Sequence, residues 1–492
     1  MIASLALAAA IVLPLAAALA AIVRPRAGPL AGLVLAPAMA ALTLWIAASV
    51  LREGPIALVV GGHLPPLGIR LEADGLSAAF LAMTAVVMAA ILLYARTEFP
   101  AGRSETRSAA IFWPLALLVW TALNTVFLSA DLFNLYVALE LMTLGAVGLV
   151  ALRNEAETTA AALRYLFFAF VGALLYLLGV GLLYARHATL DVALLAPLVE
   201  GDPATLAAGA LMTAGLAVKA ALFPFHGWLP PAHAGAPSPA SALLSALVPK
   251  AAFFILLRLW FDVMPGLATP DVVGTLAVLG ALAVLYGSAM ALVQDRLKLV
   301  IAYSTVAQVG YLFLVFALAG GGEAQPWSAG AYTGSVLHAL SHALAKAALF
   351  LAAGLVIHAV GHDRMAGLDG LSRRMPATVF AIALASVTLM GLPPSGGFVA
   401  KYLLLTSAAA AGEPVWAAVL VGGGILSAAY LFRPLSRMLA RPAEPVAAER
   451  FRTVEILPLL LAGLAILLGL ASAEPFRLVG VGRTPAAEEG LP

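Results

Sequence analysis

Residues 218–253 read VKAALFPFHGWLPPAHAGAPSPASALLSALVPKAAF, an apolar stretch in which lysines and prolines interrupt the helix-forming runs. Lys219 and Lys250 lie inside such runs, and a Phe-Pro-Phe-His-Gly-Trp-Leu-Pro-Pro segment separates them. Lipid cannot satisfy the peptide groups that proline and glycine leave free, so a break of this kind must face protein or water. The stretch therefore predicts membrane-spanning helices that are broken within a helical bundle.

The composition of the whole chain agrees with a membrane location. Of 492 residues, 63% are hydrophobic and 11% are charged, whereas soluble domains carry about 25% charged residues. A net charge of +2 is too balanced for a nucleic-acid partner. The chain has no cysteine, which excludes disulfides, cysteine-bound iron–sulfur clusters and a catalytic thiol. We expect no cofactor and no metal in this chain, so redox chemistry would belong to a partner.

Apolar runs of about 20 residues, enough to cross roughly 30 Å of hydrocarbon, recur along the chain. About fourteen occur, near residues 2–23, 28–51, 75–95, 109–129, 132–152, 160–185, 204–224, 238–261, 271–293, 298–319, 329–360, 377–407, 415–439 and 454–471. Residues 54–73 are too short and too rich in Gly and Pro to cross, and they favour an external hairpin. We expect an all-α polytopic protein of about fourteen transmembrane helices in the lipid bilayer.

Basic residues are unevenly distributed among the connections. Seventeen of the 27 Lys and Arg residues lie in or beside odd-numbered connections, and six lie in or beside even-numbered ones or the C-terminal tail. Short loops rich in Lys and Arg stay on the cytoplasmic side. The pattern predicts a multi-pass protein of the cell (inner) membrane with both termini on the outer face.

The four remaining basic residues are all lysines deep in apolar runs: Lys219, Lys250, Lys346 and Lys401. The fifth lysine, Lys298, is the first residue of the predicted span 298–319 and flanks an odd-numbered connection. Arginine does not lose its proton in a protein, whereas a lysine shielded from water can alternate between ammonium and neutral amine. Lysines in this pattern indicate proton transfer.

Among 25 acidic residues only Glu140 lies in the middle of a span. A central charge costs about 2.5–3.5 kcal/mol on the insertion scale, so these groups must pair, hydrate or neutralise. Two interpretations remain open: a static ion pair that locks helices together, or a chain of titratable sites across the membrane. A single pair would leave three lysines unexplained, which favours the chain.

Histidines extend the pattern. His338, His342 and Lys346 recur at i, i+4 and i+8, which places them in one stripe along a helix. Such a stripe is a plausible proton path near neutral pH. A helix-packing pair and a two-histidine metal site are the alternatives, although the helix offers no third ligand. His226 and His233 flank the break after Lys219 and fit a cytoplasmic funnel or ordinary loop positions equally well.

Two breaks occur in corresponding places of the chain. Lys219 precedes the first, and Lys401 follows a Gly-Leu-Pro-Pro-Ser-Gly-Gly segment at residues 391–397. Paired broken spans, here spans 7 and 12, are typical of transporters with inverted repeats. Two unrelated proline kinks are the alternative, and Pro249 predicts a third kink.

We expect four units along the chain. Residues 1–108 hold spans 1–3 and the external hairpin, and residues 109–263 form a first five-helix repeat. Residues 264–440 form a second, inverted five-helix repeat, and residues 441–492 form the last span and a short tail.

Five stretches resemble the antiporter-like family of membrane subunits: DLFNLYVALELM (131–142), residues 218–253 quoted above, DRLKLVIAYSTVAQVGY (295–311), HALSHALAKAALFLAAG (338–354) and LMGLPPSGGFVAKYLLL (389–405). This family includes proton-pumping subunits of complex I, an antiporter-like membrane subunit of Mrp-type cation/proton antiporters and membrane-arm subunits of energy-converting hydrogenases. The resemblance implies a fourteen-helix core with inverted repeats. It also implies proton transport together with other integral membrane subunits, and leaves open whether Na+ is exchanged.

The resemblance also implies roles for single residues. Glu140 corresponds to the glutamate of the fifth helix, which pairs with the lysine of the seventh helix, here Lys219. Lys250 corresponds to the central lysine of the eighth helix, and Lys401 to the exit residue of the twelfth. The histidine stripe corresponds to the polar link of the eleventh helix, and we include Lys346 in it.

The chain departs from the family pattern twice. Pro231 stands where complex I members usually carry an acid, and Pro249 precedes the lysine of the eighth helix. These departures leave the cytoplasmic opening and the local helix geometry undefined.

Our mechanistic hypothesis is a proton relay that a partner subunit switches. When the partner perturbs Glu140, Lys219 loses its stabilising charge and its proton moves to Lys250. Water and the histidine stripe then carry the proton to Lys401, which releases it at the outer face. Redox chemistry or a cation gradient in a partner supplies the energy.

Two other functions remain open at this point. An independent secondary transporter of a small solute would need a polar pocket, and we find no Asn/Gln cluster to build one. An assembly scaffold with vestigial charges would tolerate the loss of all four lysines.

Overall fold

The computed structural model describes residues 2–100, 107–320, 325–441 and 454–483. Within these ranges the chain is mainly helical. Its helices are α1 Ile2–Val23, α2 Gly28–Glu53, α3 Gly75–Glu98, α4 Arg107–Leu128, α5 Leu132–Val150, α6 Ala156–His187, α7 Val192–Leu195, α8 Pro203–Lys219, α9 Leu229–Gly235, α10 Ser238–Ala246, α11 Val248–Leu257, α12 Pro270–Val293, α13 Leu297–Ala319, α14 Ser328–Val360, α15 Leu371–Arg374, α16 Pro376–Met390, α17 Gly396–Ala410, α18 Pro414–Leu439, α19 Ile456–Leu470 and α20 Ala473–Gly480.

The described residues form a multi-pass membrane protein. Eleven helical segments are long and apolar enough to cross a bilayer, and α19 with α20, which are bent by 77° to each other, make up to twelve. Three shorter apolar helices, α8, α16 and α17, add to these. The long helices are fewer than the fourteen expected because predicted span 7 contains only the 17-residue α8, predicted span 12 is divided into α16 and α17, and predicted span 14 contains only the 15-residue α19.

The first break follows α8. The helix ends at Lys219, and a turn leads through a short 3₁₀ helix, Phe225–Trp228, into α9. The carbonyl of Val218, near the end of α8, accepts a hydrogen bond from the indole nitrogen of Trp228 at 2.9 Å. Protein groups therefore satisfy the backbone that the break leaves free, as a lipid environment requires.

The second break separates α16 from α17. Gly391 closes α16 with φ at 81°, a left-handed conformation that glycine adopts without strain. Ser395 then caps α17, and its hydroxyl oxygen accepts a hydrogen bond from the Phe398 backbone nitrogen at 3.1 Å. Helix-stop and helix-start signals thus lie close together in one span.

A third interruption lies at the predicted kink before Lys250. α10 ends at Ala246 and α11 begins at Val248, so the break falls just before Pro249. Proline has no backbone N–H and cannot continue the hydrogen-bond ladder of the preceding helix.

The predicted hairpin is present as two short antiparallel strands. β1 spans Ile56–Val59 and β2 spans Arg70–Ala73, with Ile56 opposite Ala73.

The helices with polar residues lie at the centre of the bundle. In the most apolar part of the segment Ser238–Val263 all residues are buried, and in that of α13 89% are buried. In the corresponding part of α18 only 33% are buried. α13 packs against α12 and α14, and α14 also packs against α10, α16 and α17. Peripheral helices such as α6 and α18 present apolar side chains outward. The helices that carry the intramembrane lysines Lys250 and Lys346 are more deeply buried.

Candidate functional site

Glu140 and Lys219 form an ion pair. The Nζ atom of Lys219, the last residue of α8, lies 2.9 Å from Oε1 of Glu140 on α5. The same amine donates to the hydroxyl of Thr143 at 3.0 Å, about one turn further along α5. Lys219 is buried at 3% exposure, but the Glu140 side chain is 26% exposed. The carboxylate therefore reaches the outer surface of the bundle, whereas the amine faces its interior.

Lys250 uses a backbone carbonyl that proline leaves free. Its Nζ atom donates to the carbonyl oxygen of Ser245 at 2.6 Å. In an unbroken helix this oxygen would accept from the N–H of residue 249, but residue 249 is proline. The lysine amine replaces the missing donor. The hydroxyl of Ser245 is hydrogen-bonded to that of Thr305 on α13 at 2.8 Å.

Lys401 repeats this arrangement at the second break. Its Nζ atom donates to the carbonyl oxygens of Leu389 and Met390 at 2.8 and 3.4 Å. In an unbroken helix their donors would be residues 393 and 394, which are both proline. The amine also lies 4.3 Å from the centre of the Tyr311 ring on α13, a cation–π contact.

Lys346 and the histidines connect α14 to α13. The Lys346 amine donates to the carbonyl oxygen of Ile301 at 2.9 Å and to the hydroxyl of Ser304. The Nε2 atom of His338 lies 3.2 Å from the carbonyl oxygen of Gln308. The rings of His338 and His342 are 5.9 Å apart and nearly parallel, with 23° between their planes. The stripe expected along this helix is thus buried against α13.

Several ring nitrogens in this region have no hydrogen-bond partner within the described residues. They are Nδ1 of His338 and both ring nitrogens of His342. Buried polar atoms without protein partners are places where ordered water is normally found.

α13 contributes polar groups that sequence reasoning missed. The side-chain amide nitrogen of Gln308 lies 3.1 Å from the Leu389 carbonyl oxygen, 3.1 Å from the Ser427 hydroxyl and 3.2 Å from the Tyr430 hydroxyl, so its two N–H groups are shared among three acceptors. It thereby meets the same carbonyl that Lys401 uses. Polar residues at 304, 305, 308 and 311 recur at helical spacing within an apolar run, and this periodicity was the signal available in the sequence.

We call the buried set around α13 the central polar line: Lys346, Lys250, His342, His338 and Lys401 with Ser304, Thr305, Gln308 and Tyr311. Neighbouring members are in contact: the rings of His338 and His342 stack, and Tyr311 lies 5.6 Å from the His338 ring and beneath the Lys401 amine. Among the described residues no carboxylate forms an ion pair with Lys250, Lys346 or Lys401. The line is an enclosed row of titratable groups without a counter-charge.

The seven candidate residues therefore fall into two groups. Five lie in the central polar line, and Glu140 with Lys219 forms a separate pair. The amines of Lys219 and Lys250 are not hydrogen-bonded to each other. Direct proton transfer between these two amines is absent from this geometry, so a connection between the two groups needs bridging water.

The remaining candidates differ in position. His226 stacks with Phe223 and Tyr286 at the first break. His233 is fully buried in α9. Lys298 lies in the first turn of α13, at the end of the span where the sequence places it, but at 2% exposure its side chain is buried. Local sequence could not reveal this burial, because α9 and the segment after it cover the amine from a distance in the chain.

A metal site finds no support in the described ranges. No group of three or more His, Cys, Asp or Glu residues there could hold a metal ion.

Comparison with known proteins gives consistent matches over most of the chain. The profile of the family described as "NADH:quinone oxidoreductase/Mrp antiporter, TM" matches residues 129–427. NADH-quinone oxidoreductase subunit N of Desulforudis audaxviator is 37% identical over 463 residues, which cover 89% of this chain and 90% of that protein.

Solved structures give the same result for the fold. A chain of the Mrp complex from Dietzia superimposes with a TM-score of 0.87 at 25% identity and covers 98% of this chain and 97% of its own length. A chain of the archaeal membrane-bound sulfane sulfur reductase superimposes with a TM-score of 0.85 at 28% identity, with 96% of both chains covered.

Proposed function

Because this chain belongs to the NADH:quinone oxidoreductase/Mrp antiporter transmembrane family, we propose that it moves protons across the cell (inner) membrane as one subunit of a larger membrane complex. The observation that carries this proposal is the central polar line, in which three amines and two imidazoles are buried and no carboxylate of the described residues forms an ion pair with the amines. Unpaired buried charges cost several kcal/mol each. Three amines in this setting do not all keep their protons at once, which is what a proton path requires.

The finer architecture belongs to this proposal. The three short apolar helices, α8, α16 and α17, complete fourteen spans if α8 counts as span 7 and the last two make span 12. Residues 109–263 and 264–440 are then two inverted repeats, with residues 1–108 and 441–492 at either end. The supporting feature is that each proposed repeat has a broken helix with a lysine beside the break, Lys219 in one and Lys401 in the other. Both termini lie on the outer face in this scheme.

Glu140 and Lys219 act as the switch. The partly exposed carboxylate is accessible to an adjacent subunit, whereas the buried amine is not. When a partner draws Glu140 away, the charged amine of Lys219 loses its counter-charge and gives up a proton. Water carries this proton to Lys250, since no direct hydrogen bond links the two amines.

The central polar line then moves the proton sideways within the membrane. Neighbouring residues of α13 hold Lys346 and Lys250, because Lys346 donates to Ser304 and the Ser245 that accepts from Lys250 bonds to Thr305. The stacked rings of His342 and His338 continue the line, and Tyr311 joins His338 to Lys401. Lys401 releases the proton to the outer face beside the break after α16. Neutral and charged forms alternate along the line, so each group returns to its starting state after one passage.

The partner must supply energy for this movement. Transfer of one elementary charge against 100 mV costs about 2.3 kcal/mol. Redox chemistry in a partner, or exchange of a cation such as Na+, provides the coupling. Within this chain the proton is the transported ion.

The test is proton transport by the complete complex in sealed vesicles. Lys219→Ala is expected to reduce the transport rate at least a hundredfold, with assembly of the complex unchanged. Arg186→Ala is the matched control, because Arg186 is a basic residue whose side chain is 53% exposed and lies outside both groups. Transport by the Lys219→Ala complex at the rate of this control would refute the relay.

A further inference from the structure

A cavity with both charged and apolar walls lies between the start of α2 and the end of α3. Its volume is about 430 Å³, and small-molecule sites usually have about 300–1,000 Å³. Arg26 in the turn before α2, with Leu30 and Leu33 in that helix, forms one wall. Leu93 and Arg96 near the end of α3 form the other. We call this space the α2–α3 cavity.

Both walls change from charged to apolar in the same direction. Arg26, Leu30 and Leu33 follow one another at spacings of four and three residues, which is the spacing of one helix face. Leu93 and Arg96 are three residues apart on α3. α2 begins and α3 ends at the face of the odd-numbered connections, so the two arginines lie at the edge of the membrane and the leucines lie deeper. Leu33 is about 10 Å of helix rise further in than Arg26.

The deeper part of the cavity belongs to the lipid-facing side of the bundle. Leu30 is 63% exposed, and Leu33 and Leu93 are half-buried. In the most apolar part of the segment Pro25–Glu53 only 39% of the residues are buried, so α2 is a peripheral helix. Exposed leucines on a peripheral spanning helix contact the acyl chains of the bilayer. A ligand of this cavity therefore meets apolar walls that continue into the hydrocarbon.

The part of the cavity at the membrane edge is positively charged. Arg26 and Arg96 are exposed, and every other described residue that lines the cavity is uncharged. Glu98 is close to Arg96 in the chain, but residues two positions apart do not face each other on a helix, and Glu98 lines a different cavity together with Arg153. Guanidinium groups bind phosphate through paired N–H donors, and basic pockets between spanning helices bind the headgroups of anionic lipids.

A second cavity at the opposite end of the same two helices provides a contrast. It has a volume of about 380 Å³, and its walls include Leu51 of α2 and Met83 of α3. Among the described residues that line it, Glu474 alone is charged. Both cavities offer apolar walls, but of the two the α2–α3 cavity alone combines them with positive charge. Charge complementarity to an anion is therefore specific to the end that carries Arg26 and Arg96.

We propose that the α2–α3 cavity binds one anionic phospholipid, with its phosphate between Arg26 and Arg96 and an acyl chain along Leu30, Leu33 and Leu93. A soluble anion would leave the leucine walls unused, and a neutral acyl chain would leave the arginines unused. The bound lipid joins the start of α2 to the end of α3. This binding site is separate from the proton path proposed above and does not depend on it.

Photolabelling of the purified complex tests the site. The complex is placed in nanodiscs of phosphatidylcholine that contain a small fraction of phosphatidylglycerol with a photoreactive acyl chain, and the labelled residues are identified by mass spectrometry. Label is expected in the first turns of α2 and the last turns of α3. Arg26→Gln/Arg96→Gln should lower this labelling at least tenfold.

Arg52→Gln is the matched control. Arg52 is an exposed arginine in the last turn of α2, at the opposite end of the same helix pair, and it lines neither cavity. Labelling of the α2–α3 cavity in this variant should stay within twofold of the unmodified complex. Equal labelling in Arg52→Gln and Arg26→Gln/Arg96→Gln would overturn the proposal, since the arginines would then serve only to orient the helices.

The identity of the ligand is tested with two other probes in the unmodified complex. Photoreactive phosphatidylcholine with the same acyl chain should label the cavity at least fivefold less, because its headgroup carries no net negative charge. Glycerol phosphate, the soluble part of the headgroup, should not displace the phosphatidylglycerol label. Equal labelling by both lipids, displacement by glycerol phosphate, or no labelling because a partner subunit fills the cavity would each overturn the proposal.

Arg26→Lys/Arg96→Lys separates a loss of binding from a loss of folding. Lysine binds phosphate as a point charge, so labelling should stay within threefold of the unmodified complex. Phosphatidylglycerol should also raise the unfolding temperature of the unmodified and Arg52→Gln complexes but not that of Arg26→Gln/Arg96→Gln, because a ligand that binds only the folded state stabilises it. An equal loss of labelling in the Lys and Gln double variants would trace the effect to the fold and refute the lipid site.

Discussion

The Glu140–Lys219 pair and the central polar line solve the problem of charge in a membrane in different ways. In the pair, a carboxylate 2.9 Å away compensates the amine, and one member reaches the surface. In the line, Lys250 and Lys401 donate to carbonyl oxygens and Lys346 to a carbonyl and a hydroxyl, and all are enclosed. A counter-charge holds a proton in place, whereas a row of neutral acceptors lets it move. This difference is the reason why we propose that the pair controls the proton transfer along the line.

The largest effect on stability is expected from breaking the pair. Glu140→Gln leaves the Lys219 amine buried without a counter-charge, which costs about 3–5 kcal/mol for a fully buried pair. Because Glu140 is 26% exposed, we expect a loss of about 3 kcal/mol, the lower end of that range, measured as a lower unfolding temperature of the purified complex. The double variant Glu140→Gln/Lys219→Met should recover most of this loss, because it removes the unpaired charge as well.

The control for this change is Glu413→Gln, which neutralises an exposed glutamate at the start of α18 that makes no side-chain cap. Its unfolding temperature should match that of the unmodified complex. Equal unfolding temperatures for Glu140→Gln and Glu413→Gln would mean that Glu140 does not stabilise the charge of Lys219. The pair would then contribute no more to stability than the uncompensated amines of the line.

An intermediate effect is expected from the hub of the line. Gln308→Leu removes the two N–H donors that reach Leu389 on α16 and the Ser427 and Tyr430 hydroxyls on α18. The freed partners retain other bonds, since Lys401 still donates to Leu389 and Tyr430 to Ser427, so we expect a loss of about 1–2 kcal/mol.

Gln294→Leu is the matched control for the hub, because Gln294 donates only to a backbone carbonyl one turn before it. Surface changes of this kind usually stay within about 0.5 kcal/mol. Denaturation of both variants in the same detergent measures the difference. If the Gln308→Leu complex were as stable as the Gln294→Leu complex, the hydrogen bonds of Gln308 would not hold α13 to α16 and α18.

The smallest effect on stability is expected at Lys346. Lys346→Met replaces an uncompensated buried amine with an apolar side chain of similar length, and such replacements are often neutral or stabilising. Its former partners stay bonded, since the Ser304 hydroxyl also donates to the Ile301 carbonyl at 2.8 Å. The free energy of unfolding should change by less than about 0.5 kcal/mol, while the rate of proton transport falls at least tenfold.

Lys250→Met is the comparison that sharpens this last prediction. It leaves the Ser245 carbonyl without the donor that replaces Pro249, so it should cost about 1–3 kcal/mol more than Lys346→Met. If Lys346→Met were instead as destabilising as Glu140→Gln, the amines of the line would be fixed structural charges.

The breaks were predictable because proline and glycine act on their own backbone. Pro249 has no N–H to donate, wherever the rest of the chain lies. The polar face of α13 was also present in the sequence as a periodic pattern of Ser304, Thr305 and Gln308, but it did not mark a site. Uncharged polar residues are common in apolar helices, so their pattern indicates a site only when the structure shows lysines beside them.

Lys298 shows the limit of such reasoning. It stands at the start of an apolar run beside a connection, where a lysine side chain is usually exposed. The amine is buried because the Ala236 carbonyl, 62 residues away in the chain, accepts its hydrogen bond. Nothing local to residue 298 records that contact.

The amino-acid sequence by itself determined that this is a multi-pass membrane protein of the antiporter-like family, where its helices break, and which titratable side chains lie within its apolar runs. These properties follow from hydropathy, proline chemistry and residue type, all of which act locally. Only the tertiary structure decided that Glu140 faces outward while Lys219 faces inward, that α13 collects the lysines and histidines into one line, and that Lys298 and His233 are buried beside it. Those facts depend on contacts between residues such as Glu140 and Lys219, 79 positions apart, which form only when the helices pack.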